Sequence, residues 1–234
     1  MKIKIVAFSI FFFSFSSFIQ AAPPFIGEVD LHPPNCQIQK KCFTTQELYF
    51  TDSSKKQWYA PKNTKTDGAS FPTLLEPAIA KIVGDRYDPI IMKAVVLHDH
   101  YMRKPVRSWY QTNRMFYEAL LASGTNKTRA KLMYAGVLVG SKVWHLTIKG
   151  NDCPNGNHAC TWSTIKETII TTDAPALAEQ STEYKNNFDS LAKAIINNDI
   201  DLEDIERRAI EVRPVITEGL SQKNSPSLDN GEKI

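Results

Sequence analysis

The sequence has only one long apolar run, and that run lies at its start. It extends from Ile5 to Ile19, after Lys2 and Lys4, and the small residues of "QAAPP" end it. Further along, no stretch approaches the roughly 20 apolar residues that a helix needs to cross a bilayer. This is the pattern of a secretory signal, so we expect cleavage near residue 22 and an exported, periplasmic or secreted chain without a transmembrane segment. An N-terminal membrane anchor is the alternative, and the short run disfavours it.

The chain also lacks an excess of charge of either sign. Its formal net charge is +3, with 28 basic side chains against 25 acidic ones. Lys2 and Lys4 would leave with the signal and no acid would, so the mature chain is near +1. Nucleic-acid binding depends on many basic side chains that neutralise phosphates. The charge balance therefore supports neither a nucleic-acid partner nor attachment to a membrane by bulk charge.

Cysteine is scarce, and its spacing does not resemble a zinc site. The four cysteines form two local pairs along the chain, and neither pair has the close C-x2-C spacing typical of metal binding. In an oxidising compartment, pairs of this kind form short-loop disulfides. We favour Cys36–Cys42 and Cys153–Cys160 over the other pairings. The second loop, "CPNGNHAC", contains the proline, glycine and asparagine that are typical of turns.

The hydrophobic pattern predicts an α+β protein that is mainly α-helical. "ELYFT" and "QWYAP" are short, aromatic segments separated by "DSSKK", and they predict a small N-terminal β-hairpin. Asp88 and Pro89 begin a first helix that Pro105 limits, because the apolar residues there recur with the helical period. A second helix runs from about 108 to 122, and Asn126 caps a third, "KTRAKLMYAGVLVGSKVW". Helices with short links pack as consecutive neighbours, so a three-helix core is expected.

This pattern divides the chain into four parts. They are a signal peptide at 1–22, a core domain at 23–150, a disulfide-clipped loop with C-terminal helices at 151–213, and a disordered tail at 214–234. Beyond Cys160 the pattern is helical but weaker, and "STEYKNNFDSLAKAIINND" and "LEDIERRAIEV" are the amphipathic helices. The tail is polar and contains the proline, serine, asparagine and glycine that are typical of disorder.

A polar motif, "LHDHYMR", interrupts the apolar face of the first predicted helix. His98 lies on the inward stripe with Asp99 beside it, and Asn113 occupies an inward position of the second helix. A lone histidine on an apolar face is usually a satisfied core residue. A buried acid beside it needs a partner or a metal, because burying an unpaired charge is costly. The turn "TDGAS" supplies Asp67 and the backbone oxygens around Gly68, and calcium takes ligands of this kind.

Four sequence blocks carry a family resemblance. "TDGASFP", "AVVLHDHYMR", "TNRMFYEALLASG" and "RAKLMYAGVLVG" follow one another between Thr66 and Gly140. Together they resemble domain-of-unknown-function family thirteen fifty-three, which is known mainly from phages and bacteria. The resemblance covers less than half of the chain. It implies a bacterial or phage-derived core, and it implies no activity because the family has none that is settled.

The same helix pair resembles, more weakly, the plan of secreted phospholipase A2 enzymes. In that plan a His-Asp helix follows a glycine-containing calcium loop and packs on a second helix that bears an Asp. The resemblance implies His98 as the general base for a water, Asp99 and the "DGAS" loop as the calcium site, and Tyr101 as a supporting residue. The second-helix Asp is Asn113 here, which accepts a hydrogen bond from the imidazole but adds no charge to stabilise imidazolium.

Three functions stay open at this point. The first is an exported hydrolase of a small-molecule or lipid ester, with His98 as base and calcium assisting the attack of water. The second is a non-catalytic binding or structural module of the cell envelope, with Asp99 and Asn113 in a buried polar network. The third is a phage-derived or secreted effector whose activity lies in the C-terminal helices. Calcium dependence separates the first from the second, and deletion of the residues after Cys160 separates the third.

Overall fold

The computed structural model describes residues 24–69, 81–82, 84–149, 165–172 and 181–223. Within these ranges the protein is mainly α-helical with small antiparallel sheets, which confirms the predicted α+β class. The strands are β1 (Phe25–Ile26), β2 (Leu31–His32), β3 (Cys42–Thr44), β4 (Leu48–Thr51), β5 (Gln57–Ala60), β6 (Lys65–Thr66), β7 (Val143–Lys149) and β8 (Ile165–Thr172). The helices are α1 (Cys36–Gln39), α2 (Pro89–Arg103), α3 (Trp109–Ala122), α4 (Lys127–Gly140), α5 (Thr182–Asn198), α6 (Leu202–Val212) and α7 (Ile216–Leu220).

The N-terminal strands form two three-stranded sheets. Strands β4 and β5 are the predicted hairpin, with Thr51 opposite Gln57 beside the turn, and β1 adds to its other edge. The second sheet has the order β2-β3-β6. A disulfide joins Cys36 to Cys42, as predicted, and ties α1 to β3. The second predicted disulfide, between Cys153 and Cys160, lies outside the described residues.

The three predicted core helices are confirmed, together with the residues that begin them. The Asp88 side chain accepts a hydrogen bond from the Ile90 amide, with Pro89 at the first helical position of α2. Ser108 and Asn126 accept the corresponding bonds at the starts of α3 and α4. Each cap satisfies one backbone N–H that has no acceptor within its helix, which is why these residues mark the helix starts in the sequence.

The end of the third helix was predicted wrongly. The predicted helix continued to Trp144, whereas α4 ends at Gly140 and β7 begins at Val143. Residues 165–172, expected to be helical, form β8, which pairs antiparallel with β7. Both segments are rich in Val, Ile and Thr, which favour strands. The predicted domain boundary at residue 150 therefore falls between two strands of one hairpin.

The C-terminal helices pack on the core. Helices α5 and α6 confirm the two amphipathic predictions. The prediction of a disordered tail from 214 is wrong for residues 214–223, because α7 buries Ile216 and Leu220. A Cβ built on Gly219 would lie 2.4 Å from the Trp109 ring, so glycine is needed where α7 meets α3. None of the helices in the described ranges is both long and apolar enough to span a membrane.

Candidate functional site

His98 and Asn113 face each other across the contact between α2 and α3, as predicted. The Nε2 atom of His98 lies 2.9 Å from Oδ1 of Asn113. The amide of Asn113 is fixed because its Nδ2 donates to the Trp109 carbonyl, 2.9 Å away, so its oxygen must face the ring. An amide oxygen only accepts, so Nε2 carries the imidazole proton and Nδ1 is the unprotonated nitrogen.

His98 is buried between the Asn113 amide and an aromatic ring. The residue is 7% exposed and its ring lies 4.6 Å from the Phe116 ring, measured between centroids, while Asn113 is completely buried. Burial lowers the pKa of His98 to about 4, against the opposing effect of the Asn113 hydrogen bond. His98 is therefore neutral at pH 7, and no carboxylate at the second-helix position favours its protonation.

This burial makes the stability of the protein sensitive to acid. The pKa of His98 is about 4 in the folded protein against 6.5 ordinarily. Between these values the unfolded chain binds a proton that the folded chain does not, so stability falls as the pH falls. We expect the free energy of unfolding, relative to that of His98→Gln, to fall by roughly 3 kcal/mol between about pH 7 and pH 4.

Urea denaturation of both proteins across this pH range measures the difference. Burial raises the pKa of Asp99 to about 7, so Asp99 titrates in the opposite sense. Because Asp99 is present in both proteins, its contribution largely cancels in the comparison. If the difference in free energy of unfolding between the native protein and His98→Gln does not change with pH, His98 is not buried as a neutral side chain.

Asp99 lies at the edge of α2 and faces the glycine turn. Its carboxylate accepts hydrogen bonds from the Thr66 hydroxyl and the Asp67 backbone N–H. Nη1 of Arg103, one helical turn further along, lies 3.9 Å from its Oδ2. Burial raises the pKa of Asp99, while the Thr66 hydrogen bond and the charge of Arg103 oppose that rise. Asp99 is thus held by donors from two parts of the chain.

The glycine turn depends on Gly68. Its φ is +81°, and a Cβ at this position would lie 2.9 Å from the Arg86 carbonyl oxygen. The Gly68 N–H donates to Thr66 Oγ1 at 3.1 Å, and the Ala69 N–H donates to Arg86 O at 2.9 Å. Only glycine adopts this backbone conformation without strain, and it also leaves room for the Arg86 carbonyl.

Calcium binding at Asp99 stays a prediction: donors and Arg103 lie near its carboxylate, while its buried Oδ2 has no hydrogen-bond partner among the residues that the structure describes. Calcium takes about six to eight oxygen ligands, mainly carboxylates, carbonyls and waters. Here an N–H and an O–H point at Asp99, and the Arg103 guanidinium lies 3.8 Å from Asp67 Oδ1 as well as 3.9 Å from Asp99 Oδ2. Arg103 thus supplies the positive charge that an ion would supply. In the part of the chain that the structure describes, no three His, Cys, Asp or Glu side chains are grouped to hold a metal.

Tyr101 connects α2 to the hairpin. Its hydroxyl accepts a hydrogen bond from the Tyr59 backbone N–H at 3.2 Å, and its ring meets Trp58 edge-on at 4.8 Å between centroids. Tyr101 therefore positions the helix that bears His98. Its predicted part in supporting catalysis stays a prediction.

Two members of the Asp99 network were not predicted from the sequence. Arg103 follows Asp99 by four residues, and this spacing places opposite charges side by side on a helix. The sequence could therefore have predicted the contact between Arg103 and Asp99. Thr66 lies 33 positions before Asp99 in the sequence, and no local pattern indicates that its hydroxyl bonds to Asp99.

A groove of about 810 Å³ lies between the hairpin and a different face of α3 from Asn113. It is lined by Pro24, Phe50, Thr51, Asp52, Ser53, Lys55, Arg114, Tyr117, Glu118, Leu121, Ala122 and Leu202. The Ser53 backbone N–H donates to the Glu118 carboxylate at 2.8 Å and joins the two walls. His98 and Asp99 are not part of its lining.

Fold and site together define a mainly α domain with a buried histidine–amide pair beside a glycine turn. Residues 43–137 match the family described as "Protein of unknown function (DUF1353)", which confirms the resemblance carried by the four sequence blocks. This matched region contains the hairpin, the glycine turn, helices α2 and α3, and most of α4. Helices α5 to α7 lie outside it.

Two curated proteins of Sinorhizobium fredii (strain NBRC 101917 / NGR234) are similar to the chain. "Uncharacterized protein y4iH" is 36% identical over 133 residues, which cover 57% of this chain and 54% of that protein. "Uncharacterized protein y4jT" is 28% identical over 147 residues, with 57% of this chain and 43% of that protein covered. The chain spans about half the length of the curated relatives it matches. No solved structure matches it.

Proposed function

We propose that this protein is an exported, non-catalytic binding module in which the polar centre holds the helices together. The observation that carries this is the buried amide of Asn113, which is fixed by Trp109 and binds His98. A general base becomes positively charged in the transition state, and a carboxylate beside it would stabilise that charge. Asn113 has no charge, and the low pKa of His98 makes it a weak base.

The Asp99 network supports the same proposal. The Thr66 hydroxyl and the Asp67 backbone N–H donate to its carboxylate and so hold the glycine turn against α2, while Arg103 lies nearby and Oδ2 has no hydrogen-bond partner in the described part of the chain. Export is supported by the N-terminal pattern of Lys2, Lys4 and the apolar run, and by the Cys36–Cys42 disulfide. Disulfides persist mainly in oxidising compartments such as the periplasm.

A calcium-assisted ester or lipid hydrolase is the second candidate. One observation favours it: the hydrogen bond to Asn113 leaves Nδ1 of His98 unprotonated and so able to accept a proton. In this alternative His98 would remove a proton from water, and Asp99, Asp67 and the Gly68 backbone would hold a metal that polarises it. The alternative requires Arg103 to move away from both carboxylates.

Calcium sensitivity distinguishes the two functions. If Asp99 holds the turn without a metal, adding calcium or a chelator leaves the melting temperature unchanged, and no ester is hydrolysed above the level of His98→Ala. Saturation of a true site at about 100 times its Kd would add about 2.7 kcal/mol of stability. For a chain of this size, that raises the melting temperature by roughly 5–10 °C.

Differential scanning fluorimetry with calcium, magnesium and EGTA makes the measurement, alongside an assay on a permissive ester. Asp99→Asn is the matched variant, because its amide oxygen still accepts the Thr66 and Asp67 hydrogen bonds but carries no charge. A stabilisation by calcium that magnesium does not reproduce and that Asp99→Asn abolishes would contradict the binding-module proposal.

A further inference from the structure

A second cavity, of about 320 Å³, lies at the N-terminus of α4. It is lined by Ile82, Ile90, Gly124, Thr125, Asn126, Thr128 and Arg129. Asn126 caps the helix by accepting the Arg129 N–H at 2.9 Å. The first four N–H groups of a helix have no acceptor within it, and the positive end of the helix dipole lies there. The first turn of α4 contains no acidic residue that would neutralise this end.

Arg129 brings unused donors to this cavity. Its Nη1 binds Asp88 Oδ2 at 2.7 Å, which anchors the guanidinium. Its Nε and Nη2 are buried and have no hydrogen-bond partner within the described ranges. Buried donors without acceptors are costly, and most are paired in native proteins. The anchored guanidinium therefore has two nitrogen donors that need an acceptor.

Thr125 supplies a third unsatisfied group on the wall of the cavity. Its side chain is only 5% exposed, and among the residues that the structure describes its Oγ1 also has no partner. A hydroxyl can donate, as can the two unpaired guanidinium nitrogens of Arg129 and the backbone N–H groups of the helix start. The complementary ligand is a group that only accepts and carries negative charge, namely an oxyanion.

The cavity is larger than one oxyanion needs, and part of its wall is apolar. Ile82 and Ile90 line it with side chains that are 40% and 47% exposed. Its volume is close to the lower end of the range for small-molecule sites, roughly 300 Å³. A ligand with an oxyanion at one end and a short apolar group at the other would satisfy both parts of the wall.

We propose that this cavity binds an organic phosphate with a small apolar substituent, held by Arg129, Thr125 and the N-terminus of α4. This deepens the proposed function by naming a ligand class for the binding module. The site is built from different residues than the centre around His98 and Asp99. The two tests are therefore independent. A failure of phosphate binding leaves the result of the calcium test unchanged, and a failure of the calcium test leaves the result of phosphate binding unchanged.

Titration of the ¹⁵N-labelled full chain with butyl phosphate tests the proposal by NMR. We expect saturable binding with a Kd of about 1 mM or tighter, with the largest shifts at the amides of Lys127, Thr128 and Arg129. Inorganic phosphate should bind at the same amides more weakly, and butanol should cause no saturable shift. No saturation by about 10 mM butyl phosphate, or equal binding of butanol, would overturn the proposal.

Two variants locate the site. Thr125→Val replaces an unpaired hydroxyl with a methyl group, so it should weaken binding about ten-fold at unchanged melting temperature. Arg129→Lys keeps the positive charge for Asp88 but loses the planar donors, and it should weaken binding by at least as much.

Thr112→Val is the matched control for these variants. Thr112 is completely buried and its Oγ1 is likewise without a partner in the described part of the chain, but it does not line the cavity. Its substitution should leave the Kd unchanged. If Thr112→Val and Thr125→Val changed the Kd equally, the phosphate would not be bound in this cavity.

Discussion

Replacing Asn113 by Asp is expected to lower the free energy of unfolding by about 2–4 kcal/mol without creating hydrolytic activity. Asn113 is completely buried, and its Nδ2 donates to the Trp109 carbonyl. An aspartate would place a carboxylate oxygen against that carbonyl and would bury a charge between His98 and α3. Urea denaturation at neutral pH measures the loss, and hydrolysis of a permissive ester is assayed on the same sample.

The matched control is Asn186→Asp, which makes the same chemical change on an exposed position of α5. Exposed substitutions of this kind usually change stability by less than about 0.5 kcal/mol. The hydrolase alternative expects the opposite result from Asn113→Asp, because a carboxylate would stabilise the imidazolium of His98. A roughly ten-fold gain in hydrolysis that requires His98 and disappears with a calcium chelator would contradict the binding-module proposal.

Glu206→Ala is expected to cost about 1–3 kcal/mol, because it leaves the buried Tyr134 hydroxyl without its acceptor. Glu206 is 3% exposed on α6, and it accepts hydrogen bonds from Tyr134 Oη at 2.8 Å and from Lys223 Nζ at 3.2 Å. Arg114 Nε on α3 lies 3.3 Å from the same carboxylate. The substitution would leave these donors without their acceptor, so the C-terminal helices and the core should lose stability together.

Glu203→Ala is the control, because Glu203 also pairs with Arg114 but is 72% exposed and lies 3.8 Å away. An exposed pair of this kind contributes about 0–1 kcal/mol. Hydrogen exchange monitored by NMR reports which helices open in each variant. Opening of α6 while α2 and α3 keep full protection would show that the C-terminal helices fold separately from the core.

Local chemistry was enough to predict several elements of the fold. The caps at Asp88, Ser108 and Asn126 act on neighbouring N–H groups, so their signals are contained in a few consecutive residues. The same is true of the hairpin and of the Cys36–Cys42 loop, whose partners are close in sequence. The pairing of His98 with Asn113 was also predictable, because helical periodicity and a short link place both on facing sides.

The strands after α4 could not be predicted in the same way. Residues 143–149 follow a helical apolar run without a strong break, and β8 comes from a later part of the chain. What makes them strands is their mutual pairing and the burial of Trp144, whose indole N–H donates to the Arg107 carbonyl at 2.9 Å. Such partners are distant in sequence, so tertiary context overrides the local helical preference.

The sequence by itself determined the existence of helices α2 to α6, the starts of α2 to α4, the hairpin and the identity of the polar residues at the centre. Only the tertiary structure decided what those residues bind, because hydrogen-bond direction depends on how the chain turns. At the "DGAS" turn Gly68 has a positive φ, and the backbone N–H of Asp67 donates to the Asp99 carboxylate. Calcium binding would need oxygen atoms in that position, and the order of residues alone does not distinguish an inward N–H from an inward carbonyl.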